Sequence, residues 1–419
     1  MKISHITIEN FRGIHSLDID CSNRINVFIG ENGVGKTTTL TAVQYLLSWF
    51  TARFKNEKGR GKSLSDRDIT VGQERCKLSL NLDNKTNEWS LLKYAQTYRK
   101  TGKEESDMQG SLVYANEIVE RYKNKCSIPI VVGYGVDRAI NSADIPKHLH
   151  KQTEIQLEDI YKDAFQVTVN FRTFFEWYRA MESDDDYFYR HDGEMYNANR
   201  QLQAVRNAFE RAMPGYRNLH IRRRPTALVL EKNGNEFYFQ ELSDGEKCYF
   251  SLIADIARRL AIANPDIDEP LNGEGVVLID EIDLHLHPKW QVEVLTKLTE
   301  IFPNCQFFIT THSPFVVSNI TREDYLFVFS EGNVVKVDDW VYGKKIDELL
   351  LEYFSMKGLR NPLVQSYIDE VWGLIRNNEY DTEQYRKSFN WLKDKLPVSD
   401  IEFARIKLEL KKRENEKNK

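Results

Sequence analysis

The sequence predicts an α/β protein in which short buried strands feed into helices, with an antiparallel β subdomain, an inserted helical lobe and a helical C-terminal tail. Three observations carry this expectation. The apolar run Ile25–Ile29 leads into a glycine-rich loop and then a helix-forming stretch to about Phe50. The run Val276–Ile279 is apolar throughout and ends on two acids, Asp280 and Glu281. A third run, Phe307–Thr311, ends on His312 and Ser313. Unbroken apolar runs of this length are the mark of strands buried on both faces.

The remaining elements follow in chain order. Ile3, Ile6 and Ile8 open a strand, and a second spans about Ser16 to Asp20. Lys55 to Lys62 is basic and contains glycine, which predicts a surface loop. Cys76–Leu82 and Trp89–Tyr98 alternate like antiparallel strands, Tyr114–Tyr122 reads as helix, and Ile128–Tyr134 reads as a buried strand. From Glu154 to Pro214 the pattern is helical, with breaks expected at Asp184–Asp186 and Asp192–Gly193. Phe174, Phe175, Trp177 and Tyr178 read as core of that lobe. Asn233-Gly234 between two apolar runs marks a hairpin. Helices are expected from Glu246 to about Ala263 and from Pro288 to about Ile301, the latter opened by proline where proline is favoured. A small hairpin and a helical tail from Ile346 complete the chain.

Composition narrows the function classes. Lys plus Arg total 58 and Asp plus Glu 63, a net charge of −5, which is not the balance of a dedicated nucleic-acid binder. No run approaches the ~18 apolar residues of a membrane span. The first residues open straight into a strand pattern with no signal-peptide core, so a cytoplasmic location without membrane contact is expected. Cys21, Cys76, Cys126, Cys248 and Cys305 are scattered without a C-x-x-C pair and read as reduced thiols.

The motifs carry the chemistry. Gly30-Glu31-Asn32-Gly33-Val34-Gly35-Lys36-Thr37 fits G-x-x-x-x-G-K-[ST] in the required strand, loop, helix context. Glycines let backbone N–H groups converge on phosphate oxygens at a helix N-terminus. Gly30, Asn32, Gly33, Gly35, Lys36, Thr37 and Thr38 are the candidate nucleotide contacts. Lys36 is expected to reach the β- and γ-phosphates, and Thr37 with Asp280 to hold Mg²⁺. Glu281 stands where it can polarise an attacking water. Leu242-Ser243-Asp244-Gly245-Glu246 contains a capping box, Ser243 with Glu246, which helix stability alone would explain. It does not explain Gly245, because glycine in a first helical turn costs ~1 kcal/mol against alanine. That glycine suggests close approach of backbone to a ligand. His285 and His287 lack further ligands nearby for a metal. Arg222-Arg223-Arg224 is a short basic cluster at a strand end.

With these motifs in order, the chain resembles ABC-type ATPases of the RecF, Rad50 and SMC branch. Its signature reads LSDGE, with Asp244 in place of the family's glycine. The resemblance implies ATP and Mg²⁺ as ligands, and a signature (Ser243, Asp244, Gly245, Glu246) that faces the γ-phosphate held by another subunit. It implies Asp283 as the D-loop aspartate and His312, in Thr310-Thr311-His312-Ser313, as the switch histidine beside Glu281 and Lys36 in catalysis. Asn10-Phe11-Arg12-Gly13 matches the same branch, where the arginine lies near the phosphates. Gln73 is the candidate Q-loop residue near the metal. On this resemblance residues 1–150 form the N-terminal half of the ATPase head, 151–220 a helical insertion lobe, 221–340 the C-terminal half of the head, and 341–419 a helical tail for partner or self-association.

The run Gly275–Trp290 and the helical tail resemble a compact subgroup, the ATPase subunits of the Septu anti-phage system that also occur with retrons. That implies a homodimer or higher oligomer closed around ATP, an HNH endonuclease partner, and DNA contact through the complex. A RecF-like DNA repair ATPase and a nucleotide-gated scaffold with negligible hydrolysis are the alternatives.

Overall fold

Ile6 and Ile8 point to one side of β1 (Ile3–Phe11), a shift of register between Ile3 and His5 brings Ile3 to the same side, and all three are fully buried. The computed structural model describes residues 1–83, 87–96, 104–136, 157–166, 170–192, 198–356 and 358–417. β1 pairs antiparallel with β2 (Ile14–Asp20); β3 (Ile25–Gly30) leaves for another sheet; β4 (Arg75–Leu82) and β5 (Glu88–Tyr94) return. The result is a four-stranded antiparallel sheet in the order β2-β1-β4-β5. The expected end of β5, at Thr97 and Tyr98, lies outside the described residues.

The central sheet has the order β13-β12-β3-β11-β10-β6, built from β3, β6 (Ile130–Tyr134), β10 (Gly275–Ile279), β11 (Cys305–Thr310), β12 (Tyr325–Ser330) and β13 (Asn333–Lys336). All its pairings are parallel except β12 with β13. Val276 to Ile279 and Ile25, Val27, Phe28 and Ile29 are fully buried, which explains their unbroken apolar character. Because β3, β10 and β11 run in the same direction, the segments that follow them emerge at one edge. Such a carboxyl edge is where open α/β sheets bind ligands. Gln306 on β11 ties the two sheets together: its amide donates to Ile3 O (2.7 Å) and Ser22 O (2.8 Å) and accepts from Ile3 N (2.7 Å).

A third sheet, β7 (Tyr216–Arg223), β8 (Thr226–Lys232) and β9 (Asn235–Tyr238), is a meander. Its β8–β9 turn places Asn233 and Gly234 at φ of 53° and 80°, the left-handed pair that an Asn-Gly turn supplies.

The first unit also holds α1 (Lys36–Lys55), α2 (Gln109–Lys123), α3 (Phe171–Asp192), α4 (Arg200–Ala212), α5 (Asp244–Ala263), α6 (Pro288–Ile301) and α7 (Pro314–Val317). The helical lobe has an aromatic core, as expected. Phe174, Phe175 and Tyr178 are buried, Phe171 stacks on Phe239 at 4.3 Å, and Phe250 of α5 packs edge-on to Phe174. The break expected at Asp184–Asp186 is absent; α3 runs through it. The acids are satisfied there without leaving the helix, since Asp185 accepts from Asn199 N (2.8 Å) and Asp186 pairs with Arg223 (2.7 Å). α3 ends at Asp192, and Gly193 lies outside the described residues, as does 137–156.

The chain divides into two compact units, Met1–Leu349 and Leu350–Lys419, with α8 (Ile346–Tyr353) across the division. The second unit contains α9 (Pro362–Arg376), α10 (Glu383–Lys395) and α11 (Ile401–Lys417). They close on a core that includes Val371, Ile375, Leu392 and Ile406, all fully buried. Tyr367 stacks on Trp391 at 4.0 Å, and Arg360 grips Asp400 with both terminal nitrogens (2.8 and 2.9 Å).

Candidate nucleotide site

The loop between β3 and α1 is shaped by its glycines. Gly33 and Gly35 take φ of 83° and 112°, where a side chain would be strained. Gly35 is also the N-cap of α1, and no side chain caps that helix. Its first N–H groups are left to face the loop, with the positive end of the helix dipole behind them. Lys36 is buried and folds back over the loop, donating to the carbonyls of Gly30 (2.8 Å) and Glu31 (2.7 Å). Burial pulls its ammonium below the usual lysine range, against the opposing pull of the Glu281, Asp280 and Asp283 carboxylates. Thr38 is half-buried behind it, and Asn32 is exposed on the rim.

Three strand ends meet this loop. Thr37 Oγ1 donates to Asp280 Oδ1 (3.0 Å) at the end of β10. Thr310 Oγ1, at the end of β11, donates to the same oxygen (2.6 Å) and accepts from Glu281 N (2.7 Å). Glu281 holds a left-handed φ of 48°, uncommon for a residue with a side chain. Tyr134 closes β6: its carbonyl accepts from Asp280 N (2.9 Å) and its hydroxyl donates to Asp255 Oδ2 (2.9 Å) on α5. Asp255 is buried with Arg258 and Arg259, at 2.8 Å each. Burial alone would favour its neutral acid, but Arg259 and Arg258 outweigh this and hold the carboxyl far below the usual range.

Asp283 Oδ1 accepts from Thr311 Oγ1 (2.5 Å) and from His312 N (3.2 Å), so the segment after β10 and the segment after β11 are bound together. Gln291 of α6 reinforces them, accepting from Ser313 Oγ (2.6 Å) and donating to Leu286 O (2.8 Å). His312 is half-buried at the rim of this arrangement. His287 serves the fold, because its Nδ1 accepts from Lys289 N (3.2 Å) as the cap of α6.

The Ser243–Glu246 pair is a capping box, as its spacing predicts. Ser243 Oγ accepts from Glu246 N (3.3 Å), and Glu246 Oε2 accepts from Ser243 N (2.9 Å). Glu246 also accepts from Tyr216 OH (2.6 Å), itself bonded by Lys232 Nζ (2.9 Å). Burial opposes its ionisation, but the hydrogen bonds from Tyr216 and Ser243, with Lys232 nearby, hold its carboxyl below the usual range. Ser243 and Asp244 are exposed. Gly245 has a reason inside its own chain that spacing could not reveal: a Cβ there would strike the carbonyl of His285.

Not every expected residue joins this assembly. Arg12 Nε bonds to buried Asp68 (3.0 Å), and its guanidinium lies 3.4 Å from Tyr45 OH. The turn that carries it does touch the loop, since Ile14 lies 3.0 Å from where a Gly35 Cβ would be. Gln73 is exposed in a turn closed by its N–H to Thr70 O (3.0 Å), and no hydrogen bond joins it to Thr37 or Asp280. Sequence reasoning missed Thr310, Tyr134, Asp255 and Gln291. Thr310 could have been suspected from its place at the end of the strand beside the acidic pair.

A phosphate loop, a carboxylate shared by two threonines, and a histidine strand side by side define a P-loop ATPase-type head. Residues 25–318 match the family described as "AAA domain, putative AbiEii toxin, Type IV TA system", and the chain belongs to that family. It is 28% identical to the Retron Ec83 probable ATPase of Escherichia coli, covering 99% of this chain and 87% of that protein. It is 22% identical to the Septu protein PtuA of Bacillus thuringiensis, covering 92% of this chain and 91% of that protein. Among solved structures, the SmcHead bound to the C-winged helix domain of ScpA aligns over 80% of this chain and 98% of that one, at 14% identity and a TM-score of 0.47. No helix among the described residues is long and apolar enough to cross a membrane.

Proposed function

We propose that the chain binds and hydrolyses ATP as the regulatory subunit of an anti-phage complex that controls a separate HNH endonuclease. The observation that carries the chemistry is the hydrogen-bond chain Thr37–Asp280–Thr310–Glu281 beside Lys36. A carboxylate and a hydroxyl converging at 3.0 Å are hard oxygen donors of the kind Mg²⁺ takes, so Thr37 and Asp280 fit that ion. Mg²⁺ bound there would neutralise charge on the phosphates.

The chain's own residues do the rest. Lys36 exchanges its two carbonyl partners for phosphate oxygens, and the free N–H groups of α1 receive the same anion. Thr310 fixes the Glu281 backbone, so the carboxylate is presented to an attacking water from a set position. His312 stands on the segment that Asp283 ties to the acidic strand, where it can respond to the γ-phosphate.

The relatives named for Septu and for retrons support the defence role. The exposed Ser243 and Asp244 support a second copy as the reader of the signature, with two heads closing around ATP. The assembly is read as cytoplasmic, with residues 341–419 as its partner or self-association region.

The test is direct. Lys36→Ala should lose nucleotide binding by calorimetry while the chain keeps its melting profile. Glu281→Gln should keep binding and lose phosphate release. Unchanged affinity in the Lys36 variant would defeat the site assignment.

A further inference from the structure

The phosphate loop lies at the carboxyl edge of the central sheet. A cavity of about 480 Å³ opens at the opposite edge, where β12 begins and β13 ends. Tyr325 pairs with Asn26 and Phe329 with Gly30, so the cavity stands four residues, roughly 13 Å, back along the strands from the loop. One wall is the turn 320–324 and the other is the segment 337–341 that follows β13. Both are held. Val337 N donates to Leu326 O (2.8 Å), Gly343 N donates to Ser318 O (3.2 Å), and Ile320 and Val341 are buried. Buried Asp324 closes the turn, accepting from Thr321 N (2.9 Å) and Thr321 Oγ1 (2.7 Å), and stands 3.4 Å from Arg24 Nε. Its charge is therefore already answered inside the fold.

Four other charges line the cavity and are not answered. Arg322, Lys336, Asp338 and Asp339 are exposed, and among the described residues none of them forms an ion pair. The two cations rest on aromatic rings instead. The Arg322 guanidinium carbon lies 3.7 Å from the centre of the Trp340 ring, and Lys336 Nζ lies 3.2 Å from the centre of the Tyr325 ring. Trp340 nevertheless remains 52% exposed. An indole on a fixed wall, with a planar guanidinium lying on it, is a platform on which a further flat ring can stack.

We propose that this cavity binds a free nucleoside monophosphate, apart from the ATP of the phosphate loop. The base stacks at Trp340, Lys336 and Arg322 supply the counter-charge of the phosphate, and the ribose hydroxyls donate to Asp338 and Asp339, which as carboxylates can only accept. Lys336 gives up the Tyr325 ring for the phosphate. Charge selects the ligand: two cations and two carboxylates sum to zero, so a triphosphate or a nucleic-acid strand would meet the acids without enough positive charge to offset them. A single phosphate is matched, and the acids find hydroxyl donors. The volume falls within the roughly 300–1,000 Å³ that small-molecule sites occupy.

The test titrates the full chain with AMP, GMP, CMP and UMP by calorimetry, in the wild type and in Lys36→Ala. At least one of the four should bind once per chain, equally in both proteins, because a monophosphate lacks the β- and γ-phosphates assigned to Lys36. Trp340→Ala should weaken that binding about tenfold or more through lost stacking. The double variant Arg322→Gln, Lys336→Gln should weaken it at least as much. Melting temperatures should not move, because all three side chains are exposed. Ribose 5-phosphate should bind at least tenfold more weakly than the nucleotide, since it has no ring to stack. ATP affinity in Trp340→Ala should equal that of the wild type, so failure of the loop assignment and failure of the cavity are read separately. Four nucleotides that all fail to bind below about 1 mM, binding unchanged in Trp340→Ala or in the double variant, ribose 5-phosphate binding as tightly as the nucleotide, or binding lost in Lys36→Ala overturns the proposal.

Discussion

Replacing Asp255 by alanine should strip α5 of its anchor. Asp255 is buried, holds two guanidiniums and receives the Tyr134 hydroxyl. Its removal leaves Arg258 and Arg259, themselves 2% and 4% exposed, with their shared counter-ion gone. Breaking a buried pair from one side typically costs about 3–5 kcal/mol. The unit Met1–Leu349 has 349 residues. At about 2.1 cal/mol/K per residue its unfolding entropy is roughly 0.7 kcal/mol/K, so the melting temperature should fall by about 4–7 °C. Because the Asp255 carboxyl is depressed in the folded chain, its contribution is present above the usual carboxylate range and is lost only on acidification below it. The loss in the variant should therefore be constant from pH 6 to 8. Differential scanning calorimetry across that range is the assay. Tyr134→Phe, which removes one neutral donor, should cost only about 1–2 kcal/mol. A shift under 1 °C for Asp255→Ala, or a larger loss for Tyr134→Phe, would refute the view that the charge triad fixes this helix.

Thr310→Val removes the donor to Asp280 and the acceptor of Glu281 N, so phosphate release should fall at least tenfold while nucleotide affinity falls less; a malachite-green assay beside calorimetry separates the two. Gly245→Ala should destabilise the first unit by about 1–3 kcal/mol through overpacking against the His285 carbonyl, measured as a lowered melting temperature. Burial disfavours the charged form of His5, but hydrogen bonds to Asp20 and Asp18 outweigh it and raise its affinity for a proton. That raised value means its small stabilising effect is complete below about pH 6.5 and is lost as pH rises through the folded value; His5→Gln should remove this slope from melting curves taken from pH 6 to 9. Leu392→Ala, in the core of the C-terminal unit, should cost about 2–5 kcal/mol and lower a transition seen by tryptophan fluorescence, with nucleotide binding unchanged.

The parts of the molecule legible in the sequence are those whose chemistry is local. The loop at Gly30–Thr37 needs glycine, a lysine and a hydroxyl at fixed spacing because the backbone itself forms the cradle. β10 announces itself because both its faces are covered, and the apolar run stops where Asp280 begins. The Ser243–Glu246 box is one helical turn. What escaped depends on strands brought together from distant parts of the chain. Thr310 is 30 residues from Asp280, and Tyr134 is 121 from Asp255; no periodicity reports such pairings. Three consecutive aspartates predict a break in α3, yet Asn199 and Arg223, on other elements, make the helix tolerable there. Gly245 suggests close approach of backbone to a ligand when read from spacing, whereas the group packed against it in the fold is the chain's own His285 carbonyl.

That last contact has a genetic consequence. Position 245 meets the carbonyl of His285, not its imidazole. A defect caused by a side chain at 245 therefore cannot be relieved by any replacement at 285, since every amino acid carries that oxygen. Suppressor mutations, if selected, should map to places that let one of the two segments slide, such as Gln291, which holds the Leu286 carbonyl, or the Tyr216–Lys232 pair beneath Glu246. The pattern of recovered suppressors would trace which segment of the head can move.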